Sequence, residues 1–247
     1  LRVPISYRVS ARSEYPGRAA PARERAQTAE TMALSGLHEY VAVRLGGALP
    51  APARVCDAAA GAGALTARLR AAGYDVTAND LAPGPWTGGP PGPCRVDLNG
   101  PFAAGLAGDA PYDALLAVEV IEHLESPAAF CREAMGCVRP GGLLVVTTPN
   151  VASALSRVLY LRAGRTVFFE PGQIELAGHI SPLAHWLLAH HVRSAGWEGV
   201  EIDWAGRYAD LSLPLRLASA ATGVLGRYES PRQRRFGCTV VFARRPG

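Results

Sequence analysis

The chain has 247 residues, of which 49% are hydrophobic and 19% are charged. This composition supplies enough apolar side chains for a folded core and excludes a disordered chain. The length predicts one domain with extra elements rather than two full domains. The net charge of +4 is modest, and the arginine cluster at 232–235 is too short to favour a nucleic-acid partner.

Two patterns in the sequence bear on the cellular location of the protein. No uninterrupted apolar run reaches the ~18 residues of a membrane-spanning helix, and residues 1–17 lack the apolar stretch of a secretory signal. The five cysteines form no C-x-x-C pair, and Cys56 and Cys238 lie in apolar runs, where cysteine acts as a small hydrophobe. An odd number of cysteines without a framework predicts reduced thiols and a cytoplasmic location.

The first predicted element is a helix. Apolar side chains recur at helical spacing at Ala26, Ala29, Ala33, Leu37 and Tyr40. This spacing predicts a partly amphipathic helix from about residue 22 to about residue 45, which the glycines and prolines at 46–52 would end. We therefore assign residues 1–52 to an N-terminal helical segment and residues 53–247 to the main domain.

A glycine-rich turn follows the first predicted strand. Residues 53–58 form an apolar run carrying Asp57, and Gly61 and Gly63 precede a run of helix formers. Because glycine has no Cβ and tolerates positive φ, such a turn lets the backbone approach a ligand closely. A dinucleotide site would need a third glycine where this chain has Thr66. A dinucleotide site, another cofactor site and a turn that binds nothing all remain open at this point.

The next strand also ends in an acid. Residues 75–80 are predicted as a strand, and Asp80 at its end is placed to accept two hydrogen bonds from a ribose diol, with Asn79 as the weaker neighbour. The alternative is a helix N-cap, which the proline- and glycine-rich stretch 82–93 disfavours. Residues 94–99 are predicted as the third strand.

The rest of the chain predicts an open α/β sheet. An apolar run at 112–119 leads into a charged turn and a helix, and further strands are predicted at 143–150, 199–204 and 236–244, with a helix at 183–195. Parallel crossovers bring the carboxyl ends of such strands to one edge, where ligands bind.

Several motifs in this frame resemble one family. The D-x-x-x-G-x-G of residues 57–63, E-V-I-E-H-L-E (119–125), R-P-G-G (139–142) and T-T-P-N (147–150) resemble class I S-adenosylmethionine (SAM) methyltransferases, in particular a large bacterial branch. The resemblance spans about residues 53–204. It implies a Rossmann-like, open, mostly parallel seven-stranded sheet with helices on both faces and an antiparallel last strand. It also implies SAM as the cofactor and S-adenosyl-L-homocysteine as its product.

The resemblance implies site residues as well. The cofactor would contact strand-end residues, namely Asp57, Gly61, Gly63, Asp80, Leu81, Asp97, Leu98 and Glu119. His123 would lie near the transferred methyl group, where a histidine suits the task of general base. The alternative for His123 is a helix-capping or cofactor-contacting role without catalysis. His179 is a second catalytic candidate, because the family has a similar histidine.

Other functions stay open on the sequence. Four residues resemble the metal-binding set of small-RNA 3′-terminal 2′-O-methyltransferases, namely Glu119, Glu122, His123 and His179. No basic face supports an RNA substrate, and the main interpretation includes no metal. A catalytically inactive cofactor-binding module and an NAD-linked oxidoreductase are further alternatives.

Two inserts would lie at the substrate end of the sheet, at residues 151–178 and 205–235. We expect an apolar lid, with peripheral contact to a membrane surface as the alternative. Arginines and aromatic residues in the first insert are compatible with a small-molecule acceptor methylated at oxygen, such as a secondary metabolite, quinone precursor, glycan or lipid headgroup. The N-terminal segment would lean over the cofactor site. Neither the acceptor nor the oligomeric state follows from the sequence.

Overall fold

A computed structural model describes residues 33–108, 111–208, 217–218, 220–222 and 230–247. The predicted helix before residue 33 and most of the predicted insert at 205–235 lie outside the described residues. The described strands are β1 (Arg54–Asp57), β2 (Asp75–Ala78), β3 (Tyr112–Ala117), β4 (Val138–Pro149), β5 (Glu198–Ala205) and β6 (Cys238–Arg244).

These strands form one sheet in the order β2-β1-β3-β4-β6-β5. The pairs β1/β2, β1/β3 and β3/β4 are parallel, whereas β6 runs antiparallel to both β4 and β5. This order confirms the predicted Rossmann-like, mostly parallel sheet with an antiparallel last strand. The described residues hold six strands rather than the predicted seven.

The missing strand is the one predicted at 94–99. Only Cys94 pairs with the neighbouring strand region, through a single parallel bridge to Asn79. Beyond this bridge, the Asn79 side chain makes hydrogen bonds in place of backbone pairing. Its Nδ2 donates to the carbonyls of Ala58 and Val96 at 3.0 and 3.1 Å, and its Oδ1 accepts from the Val96 amide at 2.8 Å. Prolines lead into this segment, and proline cannot donate to a sheet, so the pairing does not extend.

Helices cover both faces of the sheet, as predicted. They are α1 (Leu37–Ala48), α2 (Ala64–Ala71), α3 (Ala103–Ala107), α4 (Pro127–Cys137), α5 (Ala154–Ala163), α6 (Pro171–Ala177), α7 (His185–Ser194) and α8 (Pro231–Arg235). One buried cluster joins α3, α4 and α7 to the sheet, and a second joins α1 and α2 to its other face. Within the described residues, no helix has the length and apolar character needed to cross a bilayer.

The N-terminal helix is shorter and later than predicted within the described residues. It begins at Leu37 and continues to Ala48, whereas Ser35 before it forms a β-bridge with Arg207. Its buried residues Leu37, Val41 and Leu45 follow helical spacing. Leu37 is among the residues whose spacing predicted the element, whereas Ala33 precedes the helix. The helix therefore packs as an amphipathic layer on the sheet.

Candidate functional site

Both glycines of the turn after β1 have left-handed backbone conformations, but the space around them differs. Gly63 has φ +90°, and a Cβ there would lie 2.5 Å from the backbone nitrogen of Gly88. Gly61 has φ +54° and open space where its Cβ would be. Gly63 is therefore required by packing of the turn against the 82–93 loop, whereas Gly61 leaves its backbone open to a ligand.

Asp57 ends β1 and is buried, with 1% of its surface exposed. Its Oδ2 accepts a hydrogen bond of 2.7 Å from the hydroxyl of Thr66, and its Oδ1 is buried without a partner. Burial raises the pKa of the Asp57 carboxyl to about 6, although the Thr66 hydrogen bond opposes this shift. Thr66, treated in the sequence only as a missing glycine, is thus the residue that orients Asp57.

Asp80 follows β2 and contacts the glycine turn directly. One carboxylate oxygen accepts from the Gly61 amide at 2.8 Å, and the other accepts from the Ala82 amide at 2.9 Å. A carboxylate has about four lone-pair sites, so both oxygens keep capacity for a ligand. The neighbouring Leu81 is 52% exposed. The structure therefore brings Asp80 and Gly61 together at the carboxyl edge of the sheet.

Asp97 and Leu98 are not in equivalent positions. Asp97 is exposed, and one of its oxygens accepts from the amide of Asn99 at 2.9 Å. Leu98 is 7% exposed and belongs to the core cluster. The predicted contact of these two residues with the cofactor stays a prediction.

The proline- and glycine-rich loop at 82–93 folds onto the glycine turn. Thr87 donates to the Ala62 carbonyl from its amide at 2.7 Å and from its hydroxyl at 2.8 Å. Arg70 donates to the carbonyls of Gly88 and Gly89, both at 2.7 Å. The Arg70 guanidinium on α2 thus donates to loop carbonyls that would bond to backbone amides if this segment were a helix. This role of Arg70 was not predicted, because the contact between α2 and the loop arises only in the folded chain.

Glu119, two residues beyond β3, has φ 52°. Its amide donates to the Thr147 hydroxyl oxygen at 2.9 Å, and that hydroxyl donates to Glu119 Oε1 at 2.8 Å. The thiol of Cys238 donates to Oε2 at 3.3 Å. Burial raises the pKa of the Glu119 carboxyl. Side chains of β4 and β6 therefore hold this acid at the same sheet edge as Asp57 and Asp80.

A second group of polar side chains lies just beyond Glu119. The ligand atoms of Glu122, His123 and His179 lie within 4.8 Å of one another, and the two imidazole rings meet edge to face with centroids 4.7 Å apart. The Glu122 carbonyl accepts from the amides of Ile180 and Ser181 at 3.0 and 2.9 Å. These hydrogen bonds bring the segment after α6 onto the turn after β3.

Burial governs the charges of this group. Burial and the neighbouring His179 ring lower the pKa of His123, so its neutral form is favoured. Burial and the Glu119 carboxylate raise the pKa of Glu122 well above its usual range. Of the four residues in the alternative metal-binding set, the structure groups Glu122, His123 and His179, whereas the two Glu119 oxygens accept hydrogen bonds from Thr147 and Cys238.

The first insert forms α5 and α6 beside this group. A cavity of about 470 Å³ lies along α5 and is lined by Val151, Ala152, Ser156, Arg157, Tyr160, Leu161, Thr166 and Thr222. Tyr160 and Leu161 are 61% and 78% exposed. The insert therefore presents large side chains to solvent at the predicted substrate end.

The fold and the carboxyl-edge acids define a class I SAM-dependent methyltransferase architecture. A family model described as a methyltransferase domain matches residues 37–202. The chain belongs to this methyltransferase-domain family, and the predicted family is confirmed.

Curated relatives point in the same direction. A protein named ubiquinone biosynthesis O-methyltransferase from Xanthomonas axonopodis pv. citri (strain 306) is 36% identical over 120 residues, covering 45% of this chain and 48% of the relative. One of the same name from Xylella fastidiosa (strain 9a5c) is 33% identical over 149 residues, covering 55% and 58%. The chain thus spans about half the length of these relatives.

Solved structures support the fold. A SAM-dependent methyltransferase from Archaeoglobus fulgidus superposes with a TM-score of 0.57 at 16% identity, over 84% of this chain and 94% of that one. The [4+2]-cyclase SpnF superposes with a TM-score of 0.50 at 19% identity, over 84% and 80%. Since a cyclase shares the architecture, the fold alone does not define the reaction.

The residues of the carboxyl edge fit the cofactor of this family. SAM carries an ammonium group, a ribose diol and an adenine. The unpartnered Asp57 Oδ1 suits the ammonium group, and the unobstructed Gly61 backbone allows close approach. The Asp80 carboxylate, fixed by two backbone amides, suits the diol.

Proposed function

We propose that this chain transfers the methyl group of SAM to an oxygen atom of a small quinone precursor. The observation that carries the proposal is the buried, unpartnered oxygen of Asp57 beside Gly61 and Asp80, in a chain that belongs to the methyltransferase-domain family. The acceptor class is supported by the name of the curated relatives, ubiquinone biosynthesis O-methyltransferase. A cytoplasmic location fits such a reaction and stays part of the proposal.

On the donor side, three acids would each lie against a different part of the cofactor. Asp57 would accept hydrogen bonds from the ammonium group, which would satisfy its free oxygen and favour its ionised form. Asp80 would bind the ribose diol through charge-assisted hydrogen bonds. Glu119 would flank the cofactor from the next strand. SAM supplies the activated methyl group on a sulfonium centre, and these residues would hold that centre in line with the acceptor.

On the acceptor side, the reaction needs a nucleophilic oxygen and a place for its proton. An oxygen lone pair attacks the methyl carbon, the carbon–sulfur bond breaks, and its electron pair stays on sulfur as S-adenosyl-L-homocysteine. The hydroxyl proton must leave, and His123 would accept it, because its lowered pKa keeps the imidazole neutral near pH 7.

The acceptor would enter from the side of the first insert. The cavity along α5 has a volume of about 470 Å³, within the ~300–1,000 Å³ of small-molecule sites. Arg157 and Tyr160 in its lining would suit an aromatic acceptor that carries an acidic group. The exposed Leu161 beside them would contact an apolar substituent.

The proposal is tested by mass spectrometry of reactions that contain the chain, SAM and dihydroxybenzoate or other phenolic quinone precursors. We expect one added methyl group on oxygen and an equal amount of S-adenosyl-L-homocysteine. The Asp57→Asn variant is expected to lose SAM binding in calorimetry. Binding of SAM without transfer to any phenol would instead favour a cofactor-binding module, and absence of SAM binding would refute the proposal altogether.

A further inference from the structure

Residues 166–169 form a tight turn whose sequence does not match its backbone conformation. The Phe169 amide donates to the Thr166 carbonyl at 3.3 Å, and the same two residues form an antiparallel bridge. Phe168 occupies the third position of this turn with φ 65°. A left-handed third position normally holds glycine or asparagine, because a bulky side chain is strained there. Phenylalanine is therefore unfavourable for the turn itself.

The Phe168 ring makes only loose contacts with the two other rings beside it. Its centroid lies 6.3 Å from that of His179, edge to face, and 6.5 Å from that of Tyr208, with the planes 26° apart. Both distances are near the upper limit of the ~4.5–7 Å found for aromatic pairs, and Phe168 is only partly buried. Neither the turn nor tight ring packing accounts for this side chain. Backbone strain at such a position is typical of ligand contacts.

Hydrogen bonds hold Phe168, His179 and Tyr208, whose rings we call the aromatic wall. The His179 Nδ1 lies 2.8 Å from the Phe168 carbonyl oxygen and donates to it, since a carbonyl only accepts. The Tyr208 hydroxyl lies 2.9 Å from the hydroxyl of Ser153, the residue that caps α5. These hydrogen bonds fix the arrangement of the wall before any ligand binds.

The aromatic wall lies between the cavity along α5 and the proposed base. At the cavity end, the Val167 amide donates to the hydroxyl oxygen of Ser156 at 3.3 Å, and Ser156 lines the cavity. At the other end, the His179 ring meets the His123 ring with centroids 4.7 Å apart. An acceptor that entered along α5 would therefore meet the wall before its hydroxyl reached His123.

Tyr208 also connects the aromatic wall to the donor side. A Cβ on Gly237 would lie 3.1 Å from the Tyr208 ring, so the glycine permits a close approach of this ring. The next residue, Cys238, donates its thiol to Glu119 at 3.3 Å, and Glu119 lies at the sheet edge proposed to bind SAM. The wall is therefore close to both partners of the proposed reaction.

We propose that the aromatic wall binds the planar ring of the acceptor, and that Phe168 and Tyr208 select an aromatic acceptor over a saturated one. This inference rests on the proposed function, because the ring is that of the quinone precursor. Aromatic side chains stack on a planar ring, whereas a saturated ring of the same size offers them only apolar area. Phe168 is therefore present for its ring, despite the strain that it places on the turn.

The test is calorimetry on the chain saturated with S-adenosyl-L-homocysteine, so that no methyl group can be transferred. The two probes are dihydroxybenzoate and its saturated analogue, dihydroxycyclohexanecarboxylate. We expect the aromatic probe to bind about 2–10-fold more tightly, the range of one aromatic stacking contact. Phe168→Gly and Tyr208→Leu should each remove most of this preference, whereas Phe168→Tyr keeps a ring and should retain it.

Phe168→Gly also separates a ligand contact from a structural role. Relief of the left-handed strain offsets the greater freedom that glycine gives the unfolded chain, so the urea midpoint of this variant should change little. Trp186→Leu is the control, since it removes an aromatic side chain that is 64% exposed on α7, and it should keep the preference for the aromatic probe.

Three results would overturn the inference. The first is that the unmodified chain binds neither probe, or binds both equally. The second is that the preference survives in folded Phe168→Gly or Tyr208→Leu, with folding established by circular dichroism. The third is that Trp186→Leu loses the preference as well.

Failure of the aromatic wall is distinguishable from failure of the proposed function. A chain that prefers the aromatic probe but transfers no methyl group from SAM to a phenol supports the wall and refutes the methyl transfer. A chain that methylates dihydroxybenzoate with the same KM before and after Phe168→Gly supports the methyl transfer and refutes the wall.

Discussion

The donor and acceptor sides of the site are held by different interactions. On the donor side, Asp80 is bound by two backbone amides and Asp57 by the Thr66 hydroxyl. On the acceptor side, the half-buried His179 is oriented by one carbonyl, and α5 exposes Tyr160 and Leu161. We therefore expect the turn proposed to bind the cofactor to be rigid, and the surface proposed to bind the acceptor to be adaptable.

The largest expected effect separates the two glycines of the donor side. Gly63→Ala combines a left-handed φ of +90° with a Cβ position 2.5 Å from backbone, so we expect a loss of about 2–5 kcal/mol in unfolding free energy. Gly61→Ala is the control, with positive φ but open space, and should cost only about 1–2 kcal/mol. Urea titration measures both, and equal losses would contradict the packing argument.

The pH dependence of stability tests the buried Asp57. Its pKa is about 6 in the folded chain against 3.8 for the free side chain. A raised folded pKa stabilises the protein fully below pH 3.8, and this stabilisation is lost as pH rises through 6. Between pH 4 and 7 the cofactor-free chain should therefore lose about 2–3 kcal/mol relative to Asp57→Asn. Identical pH profiles of the two proteins, in urea titrations across this range, would show that Asp57 is not the cause.

SAM binding distinguishes the two acids predicted for the nucleoside. Asp80→Ala removes the acceptor of two backbone amides, and we expect a loss of about 1.5–3 kcal/mol in binding free energy, as for a charged hydrogen bond. Asp97 is exposed and bonded only to the nearby Asn99 amide, so Asp97→Ala should cost less than Asp80→Ala. Calorimetry with SAM measures the loss of binding free energy in both variants. A larger loss in Asp97→Ala would assign the ribose contact to Asp97 instead of Asp80.

The smallest effect on stability is expected on the acceptor side. Leu161 is 78% exposed on α5, so Leu161→Ser should change the unfolding free energy by less than about 0.5 kcal/mol. It should nevertheless raise the KM for a phenolic acceptor several-fold while leaving SAM affinity unaltered. Val43→Ser on α1, at a residue 70% exposed, is the control. If both variants change the KM equally, the proposal that α5 contacts the acceptor is contradicted.

The sequence by itself determined the fold class and the sheet edge at which the proposed donor-side residues lie. Apolar runs ending in Asp57, Asp80 and Glu119, together with the Gly61 and Gly63 turn, predicted an open, mostly parallel sheet and the edge that these acids share. They did so because parallel strands joined by helices leave few alternative arrangements. For these residues, the sheet edge expected from the local sequence pattern is the one that they occupy in the folded chain.

Only the tertiary structure decided the remaining features. The 94–99 segment alternates apolar and polar residues as a strand does, but Asn79 and the preceding prolines stop its pairing. Thr66, Arg70 and Thr147 act through contacts with other elements of the fold, at sequence separations of 9, 18 and 28 residues, which periodicity does not encode. Likewise, Glu122 and His179 are 57 residues apart, and the backbone hydrogen bonds from Ile180 and Ser181 bring them together. Residues whose partners are remote in sequence acquire their roles only when the chain is folded.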